Sequence, residues 1–559
     1  MKQLSKIVAK AKSNSIVRKL FFIENVSLII ILILAPIIMS HNRVGRVDWD
    51  IFFAYHEALR QVILAHHQFP WWNPWMYGGV PLFANPQLGL LSIETPFILV
   101  FGTIWGMKLA AVAYFVAGFW GMYWLLKALK TPKLNRLLLS YLWIFSTFVT
   151  FHFYVGHYTF LLYLLSPWLF FLALKLEDGW RWAIIFGLFI GFFINSNLHY
   201  MTVQAMLILG FWLIIQLFLA KDKKSFILRT LTALGIALVV ALPKLYFADK
   251  YVSEFAVPGS GLIQQVTTLK VASRAFLYPF QKPFQATVGQ LGWFEITAYI
   301  GLTAMILFII ASFRMSLKAY SKKRINLGVA FLLAALLCFI IGLGPFSGLS
   351  PYGLLRHLPV LEAMQVPSRW FGWAIFFVLL TIGQFKEMRK ISCILLAIAA
   401  IELTITQPLR GTFPYPQPSA VTNNTGFQQY ESFAQLSSYT DGKIMGSDMY
   451  QSTISNYGEI NAYEPIINRA IFGQPKAGAC GINVGCKLTS SNAQVTYWSP
   501  NDISLKRIGP GPITLNVNPS SYWLVNGKRL FSNDRVAEPN KKFIITDTSK
   551  EIEVKIMPL

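Results

Sequence analysis

Two carboxylates, Asp48 and Asp50, stand in the run VDWDIFFAYHEALRQ, directly after the first apolar stretch of the chain, and FPWWNPWMYGGVPLFANPQ follows closely. Both runs are too polar for the interior of a bilayer and too aromatic for an ordinary linker. A carboxylate one side-chain layer outside a membrane edge meets water and lipid head groups together. It can act as general base, taking a proton from an acceptor hydroxyl while that oxygen attacks an electrophilic carbon. At a spacing of two residues the carboxylates do not share a helix face. One is expected to face a cavity and the other to cap a helix or to meet Arg43 or Arg46. Asp50 is the better-placed N-cap, so Asp48 is favoured as the base.

Other polar residues gather on the same expected side. They are His56, Glu57 and Arg60 in the first run, Asn85 in the second, His157 in YVGHYTF, Asn195, Asn197 and His199 in INSNLHY, Glu295 in GWFEITAY and Arg369 in QVPSRWF. Ionisable groups near membrane depth are costly, so a cluster on one face reads as a functional site. A lone histidine at an interface is as readily a turn cap as a ligand. Arg60, Lys244, Lys270, Arg274, Lys282, Arg356, His357 and Arg369 are cations that could hold a phosphate leaving group, although each taken singly also reads as a side chain snorkelling to head groups. Arg369 stands out because Pro367 and Trp370 fix its surroundings. The candidate substrate contacts are Glu57, Arg60, Asn85, His157, His199, Arg274, Glu295 and Arg369. In the aromatic run, Pro74, Gly78, Gly79, Pro81 and Pro86 impose a rigid folded path suited to a cavity wall, beside the simpler reading as an interfacial aromatic belt.

The elements that must position these residues are membrane helices. The 559-residue chain is 55% hydrophobic and only 13% charged, too apolar for one soluble core. Its net charge of +24 falls in short runs between apolar segments, such as KALKTPKLNR, KDKKSFILR, RMSLKAYSKKR and KEMRK. Such runs mark cytoplasmic loops and argue against a nucleic-acid partner. Apolar stretches starting near residues 21, 104, 137, 158, 183, 202, 230, 292, 326, 369 and 391 give about eleven transmembrane helices. The first reads as an uncleaved anchor. The N-terminus is then cytoplasmic and the C-terminus extracytoplasmic.

A polytopic α-helical membrane module over residues 1–407 is expected, with outside loops at 41–103 and 248–291. Phe52, Tyr55, Leu59 and Val62 recur at helical spacing, as in a helix lying along the interface. Residues 408–559, including the Pro-rich linker QPLRGTFPYPQP, form an extracytoplasmic β-rich domain: PITLNVN, SYWLVNGKRLF, KKFIITD and EIEVKIM read as strands, and the NG as a hairpin turn. Cys480 and Cys486 are close enough to form a disulfide there, while Cys338 and Cys393 lie in apolar spans. Asn423 opens an N-x-T sequon.

In order along the chain, VDWD, FPWWNPWMYGGVPLFANPQ, GHYTFLLYLLSPW, GWFEITAYIG, LPVLEAMQVPSRWFG and ITLNVNPSSYWLVNGKRL resemble the YfhO-type membrane protein family, within the GT-C glycosyltransferase superfamily. The resemblance covers nearly the whole chain. It implies transfer of a sugar from a polyprenyl-phosphate donor to a glycan, lipid or protein acceptor on the outer face of a lipid bilayer, a bacterial cytoplasmic membrane. It places an essential acidic residue in the first outside loop, at Asp48 or Asp50. Under that reading Arg369 stabilises charge on the departing lipid phosphate. No cofactor is demanded and no metal ligand is assigned, although two close carboxylates leave room for a divalent cation. The main alternative is a transporter or flippase of lipid-linked saccharides, which would show charged groups along a path reaching both faces and inverted repeats, neither of which is found. A non-catalytic assembly factor would leave the carboxylates dispensable, and a saccharide ligase or polymerase would differ mainly in donor size.

Overall fold

The computed structural model describes residues 15–45, 48–255, 266–283, 285, 291–321, 326–358, 361, 364, 366–406, 408–409, 413–414, 427–430, 448–460, 486–529 and 543–556. Arg46, Asn423 and Cys480 fall outside these residues. Cys486 is disulfide-bonded, and Cys338 and Cys393 are free.

Among the described residues six helices are long and apolar enough to cross a membrane: Thr103–Ala128, Lys133–Val155, Tyr158–Asp178, Tyr200–Leu219, Lys223–Ser253 and Leu302–Ser321. Shorter apolar helices cover Phe22–Ile33, Trp180–Ser196 and Leu327–Gly342, and further helices cover Trp370–Gln384 and Arg389–Thr406. Leu231, Leu238, Val239, Leu242, Phe218 and Phe313 are exposed along these helices. So continuous an apolar belt fits lipid and not water, and the chain is an integral membrane protein. One element starts later than its apolar run. The stretch expected to open a span near residue 292 first makes the 3-10 turn Trp293–Glu295, and the long helix begins at Leu302, after Gly301 turns with φ +100° against Ala399.

Small residues let the helices approach closely. A Cβ at Gly187 would lie 2.5 Å from the Ala233 carbonyl oxygen, and one at Gly191 would lie 2.6 Å from Val240 Cβ. The Gly-x-x-x-Gly spacing thus seats Trp180–Ser196 on the helix Lys223–Phe255. Gln384 Nε2 donates to the Leu129 carbonyl (3.2 Å), Lys318 pairs with Glu387 (3.2 Å), and Arg229 donates to the carbonyls of Leu176 and Glu177 (both 2.9 Å). Successive helices carry these basic loops to one end of the bundle and Asp48, His157, Glu295 and Arg369 to the other.

At the latter end sits the β-rich C-terminal region. A five-stranded antiparallel sheet runs in the order Lys528–Arg529, Trp523–Val525, Glu551–Ile556, Asp502–Arg507, Ala493–Ser499. Asn526 and Gly527, both at positive φ, make its two-residue hairpin turn. Ile552, Val554 and Ile556 point inward while Glu551, Glu553 and Lys555 point out, as strand alternation requires.

This region rests on the first loop, which corrects two expectations. The helix Trp49–Leu64 does not lie along a membrane surface with one face wet. Phe52, Tyr55, Leu59 and Val62 are buried, but so are Asp50, His56, Glu57 and Gln61. Asp50 accepts hydrogen bonds from the backbone amides of Met449 (3.1 Å) and Tyr450 (3.2 Å), and Gln61 Nε2 donates to the Thr453 carbonyl (3.0 Å). The Pro–Gly path of the aromatic run serves as a docking platform rather than a cavity wall. Tyr77 N donates to the Glu459 carbonyl, Glu459 N to the Trp75 carbonyl, and Asn518 Nδ2 to the carbonyls of Tyr77 and Gly79.

Lys244 also takes a structural role. It follows Pro243 within its helix, is 1% exposed, and spends all its donors on the carbonyls of Phe83 (2.8 Å), Asn85 (2.6 Å) and Leu88 (2.6 Å). It is no free phosphate ligand. Lys244→Met leaves these acceptors unpaired and is expected to destabilise the protein by about 3 kcal/mol. Thermal unfolding in detergent checks this, and an unchanged Tm would refute the assignment.

Candidate active site

Glycine at position 156 lets the site form. Gly156 ends the helix Thr147–Val155 with φ +92°, and a Cβ there would fall 2.2 Å from the Trp49 amide nitrogen. The segment therefore lies directly against the start of Trp49–Leu64. Asp48 N donates to the Val155 carbonyl (3.0 Å), and Trp49 Nε1 to that of Phe153 (3.1 Å). These contacts turn Asp48 towards the residue after Gly156. His157 Nε2 stands 3.4 Å from Asp48 Oδ2 and 3.9 Å from Glu295 Oε1.

Glu295 and Arg369 close the cluster. Each belongs to a short 3-10 turn, Trp293–Glu295 and Pro367–Arg369, and Ser368 Oγ joins the turns by donating to the Glu295 carbonyl (2.7 Å). The guanidinium then donates twice to the carboxylate, Nε to Oε2 at 2.9 Å and Nη2 to Oε1 at 2.7 Å. It lies over the rings of Phe160 (5.0 Å) and Tyr200 (4.4 Å). His199 Nδ1 meets Thr159 Oγ1 at 3.1 Å. His152, which sequence reading passed over as part of an apolar run, faces His157 with the two Nδ1 atoms 2.7 Å apart.

Burial sets the charges. The Glu295 carboxyl is raised by burial, but Arg369 and then His157 outweigh this and hold it below its ordinary value. Burial, opposed by Glu295 and reinforced by Arg369, lowers His157 to about 4, and burial with Arg369 carries His199 well below its ordinary value. Burial and repulsion from Glu295 push Asp48 up to about 7 against the pull of Arg369. With the histidines neutral and Glu295 cancelling Arg369, an ionised Asp48 is the uncompensated charge. Its side chain is also the most exposed of the group, at 17% against 7% for Glu295 and 9% for His157 and Arg369.

Donor atoms of His152, His157 and Glu295 all lie within 4.8 Å of one another, a grouping that invites a metal ion. The 2.7 Å contact between the imidazoles is shorter than the roughly 3.3 Å that separates two nitrogens on one tetrahedral zinc. We read it as a hydrogen bond.

The structure sorts the remaining candidates. Asp48, His157, Glu295 and Arg369 come together, with His199 beside them. Asp50 stands apart, held by the amides of Met449 and Tyr450; it caps a helix of the C-terminal region rather than its own, where Asp48 occupies the N-cap position. Glu57 is fully buried between Arg60 (3.0 Å), Gln61 (3.3 Å) and Thr103, and Arg60 is bound to it. Asn85 Oδ1 accepts from the Gln87 amide (2.8 Å) and shapes its own turn. Arg274 is exposed and lies over Tyr278.

Fold and site define a helical membrane protein with a carboxylate–imidazole–guanidinium cluster at one end of its bundle, under a β-rich region. No family model matches the chain, and no curated protein does. Among solved structures it is similar to the cryo-EM structure of the arabinofuranosyltransferase AftD from Mycobacteria, with a TM-score of 0.43, 13% identity, and coverage of 69% of this chain and 26% of that one. A mutant of AftD gives 0.45, 14%, 79% and 33%. The chain thus spans about a quarter to a third of the length of these proteins.

Glu295→Gln is expected to cost about 3 kcal/mol or more, because it strands a buried guanidinium without its countercharge. Glu295→Gln combined with Arg369→Met should recover most of the loss. Thermal unfolding of the three proteins tests this, and a Glu295→Gln variant as stable as the wild type would show that the ion pair does not hold the site.

Proposed function

We propose that this protein is a membrane glycosyltransferase that moves a sugar from a polyprenyl-phosphate-linked donor to an acceptor on the extracytoplasmic face, with Asp48 as general base. The observation that carries this reading is the position of Asp48, a partly exposed carboxylate at the rim of a buried Glu295–Arg369 ion pair, with its pKa raised to about 7. A base is most useful when its pKa lies near the working pH. The basic loops at the other end of the bundle favour a cytoplasmic placement there and an extracytoplasmic one for the site.

In the reaction Asp48 accepts the hydroxyl proton of a glycan, lipid or protein acceptor. The acceptor oxygen forms a bond to the anomeric carbon as the bond from that carbon to the phosphate oxygen breaks. Polyprenyl phosphate leaves with the bonding electron pair. Glu295 takes Nε and one Nη2 hydrogen of Arg369, so the Nη1 edge is the part of the guanidinium that Glu295 leaves for phosphate oxygens. Because Glu295 neutralises it, Arg369 contributes oriented donors more than net charge.

Transfer of radiolabelled sugar from polyprenyl-phosphate donors into envelope fractions tests the reading. Asp48→Asn is expected to lower the rate about 10²- to 10⁴-fold, while Asp50→Asn retains turnover per folded molecule and lowers Tm. Because the base must be ionised and its pKa is raised, wild-type kcat/KM should rise with pH through about 7. Groups facing Asp48 from the neighbouring elements are His157, Glu295 and Arg369. Undiminished transfer by Asp48→Asn would exclude it as the base.

A further inference from the structure

His152 takes no part in the chemistry just described, yet it touches His157 directly. It lies in the helix Thr147–Val155, fully buried, with its ring stacked on Phe160 (centroids 4.2 Å apart, 29°) and set edge-on to Phe148 (4.7 Å, 76°). Its Nδ1 is 2.7 Å from Nδ1 of His157, and its Nε2 is buried with no hydrogen-bond partner among the described residues.

Two tautomeric arrangements satisfy the contact between the rings. In the first, His152 donates from Nδ1, His157 accepts at Nδ1, and the His157 hydrogen sits on Nε2, facing Asp48 Oδ2 and Glu295 Oε1. Nε2 of His152 is then a bare lone pair. In the second, His157 donates from Nδ1. Its Nε2 lone pair then confronts the two carboxylates, and His152 must carry a hydrogen on its partnerless Nε2. Buried donors without an acceptor are rarer than buried acceptors without a donor, and a lone pair against carboxylates is repulsive. Both considerations select the first arrangement. Exchange to the second needs a proton delivered to His152 Nε2, and among the described residues that atom has no partner to deliver one.

We infer that His152 is a positioning residue, donating its Nδ1 hydrogen to His157 and so holding His157 as the Nε2–H tautomer, with that hydrogen on the nitrogen that stands 3.4 Å from Asp48 Oδ2. His157 then presents a donor to the carboxylate in its ionised, proton-accepting state. Only the kinetic consequence rests on the glycosyl-transfer reading; the tautomer follows from the geometry of the cluster with Asp48 ionised. The charged and titratable groups around His157 are Asp48, His152, His199, Glu295 and Arg369.

The test is ¹⁵N NMR of the full chain, labelled with ¹⁵N-histidine, in lipid nanodiscs at a pH well above 7, where Asp48 is ionised, with the His157 signals assigned by their loss in His157→Gln. The Nε2–H form in the wild type supports the inference, and the Nδ1–H form overturns it without recourse to any variant. His152→Phe, which keeps a packed ring without a donor, should release His157 into a mixture of tautomers. His152→Asn, whose amide nitrogen lies near the position of Nδ1, should restore the Nε2–H form. In the transfer assay His152→Phe should lower kcat at least about tenfold with little change in donor KM, by analogy with the cost of a wrong tautomer in a catalytic triad. It should also move the pH limb upward, because Asp48 loses a donor, and His152→Asn should reverse both effects. An unaltered tautomer in His152→Phe, or equal kinetic defects in the two variants, would assign His152 to packing alone. Absence of transfer by the wild type with every donor would reject the glycosyl-transfer reading, while the NMR result would still decide the tautomer.

Discussion

A buried ion pair governs the rest of the site. Either Glu295 or Arg369 left charged alone beside Phe160 and Tyr200 would cost the fold several kcal/mol, about 3–5 on removal of one partner. Joined by two hydrogen bonds they are stable as a unit, and the unit fixes where two short turns meet. Its near-neutrality has a consequence for the neighbours. The histidines gain no anionic field strong enough to protonate them, so they remain neutral. Asp48 is left to titrate against burial and a partly cancelled repulsion.

Asp48 and Asp50 show how little separation in sequence is needed to divide two duties. Trp49 lies between them, its ring packed against Phe153 (5.2 Å) and Tyr158 (5.7 Å), and it fixes the rotation of the helix start. One carboxylate therefore faces the cluster and the other meets the helix Asp448–Ile454. The first loop is shared by the membrane bundle below and the β-rich region above. The contact of Asp50 with the C-terminal region thus lies one residue from Asp48.

Much of this was legible in the sequence because polarity at the end of an apolar run is costly and therefore informative. Asp48, His157, Glu295 and Arg369 were visible on that ground, and strand alternation with the Asn526–Gly527 turn exposed the C-terminal sheet. Residue type does not reveal a partner, however. Glu57, Arg60 and Asn85 look like substrate contacts in sequence, but in the fold Glu57 accepts from Thr103, Gln61 and Arg60, and Asn85 accepts from the Gln87 amide. Lys244 reads as a free cation because the carbonyls that bind it leave no mark in a sequence. His152 was hidden in TFVTFHFYV, and only the turn at Gly156 reveals that it faces His157. The buried polar face of Trp49–Leu64 depends on a region some four hundred residues away, beyond the reach of local periodicity.

The depth of Asp48 is the last constraint that ties fold to chemistry. A carboxyl set as deep as Glu295 but without a guanidinium would stay protonated at neutral pH and could accept nothing. One in open water would be a carboxylate too weak in basicity to help an alcohol. Asp48 escapes both limits because Gly156 lets the backbone pack tightly enough to bury it in part, while Arg369 tempers the rise that burial and Glu295 impose. The same close approach brings His157 within 3.4 Å. A single glycine thus contributes both to the burial that raises the carboxylate's basicity and to its closeness to the imidazole, while Glu295 and Arg369 adjust the basicity further.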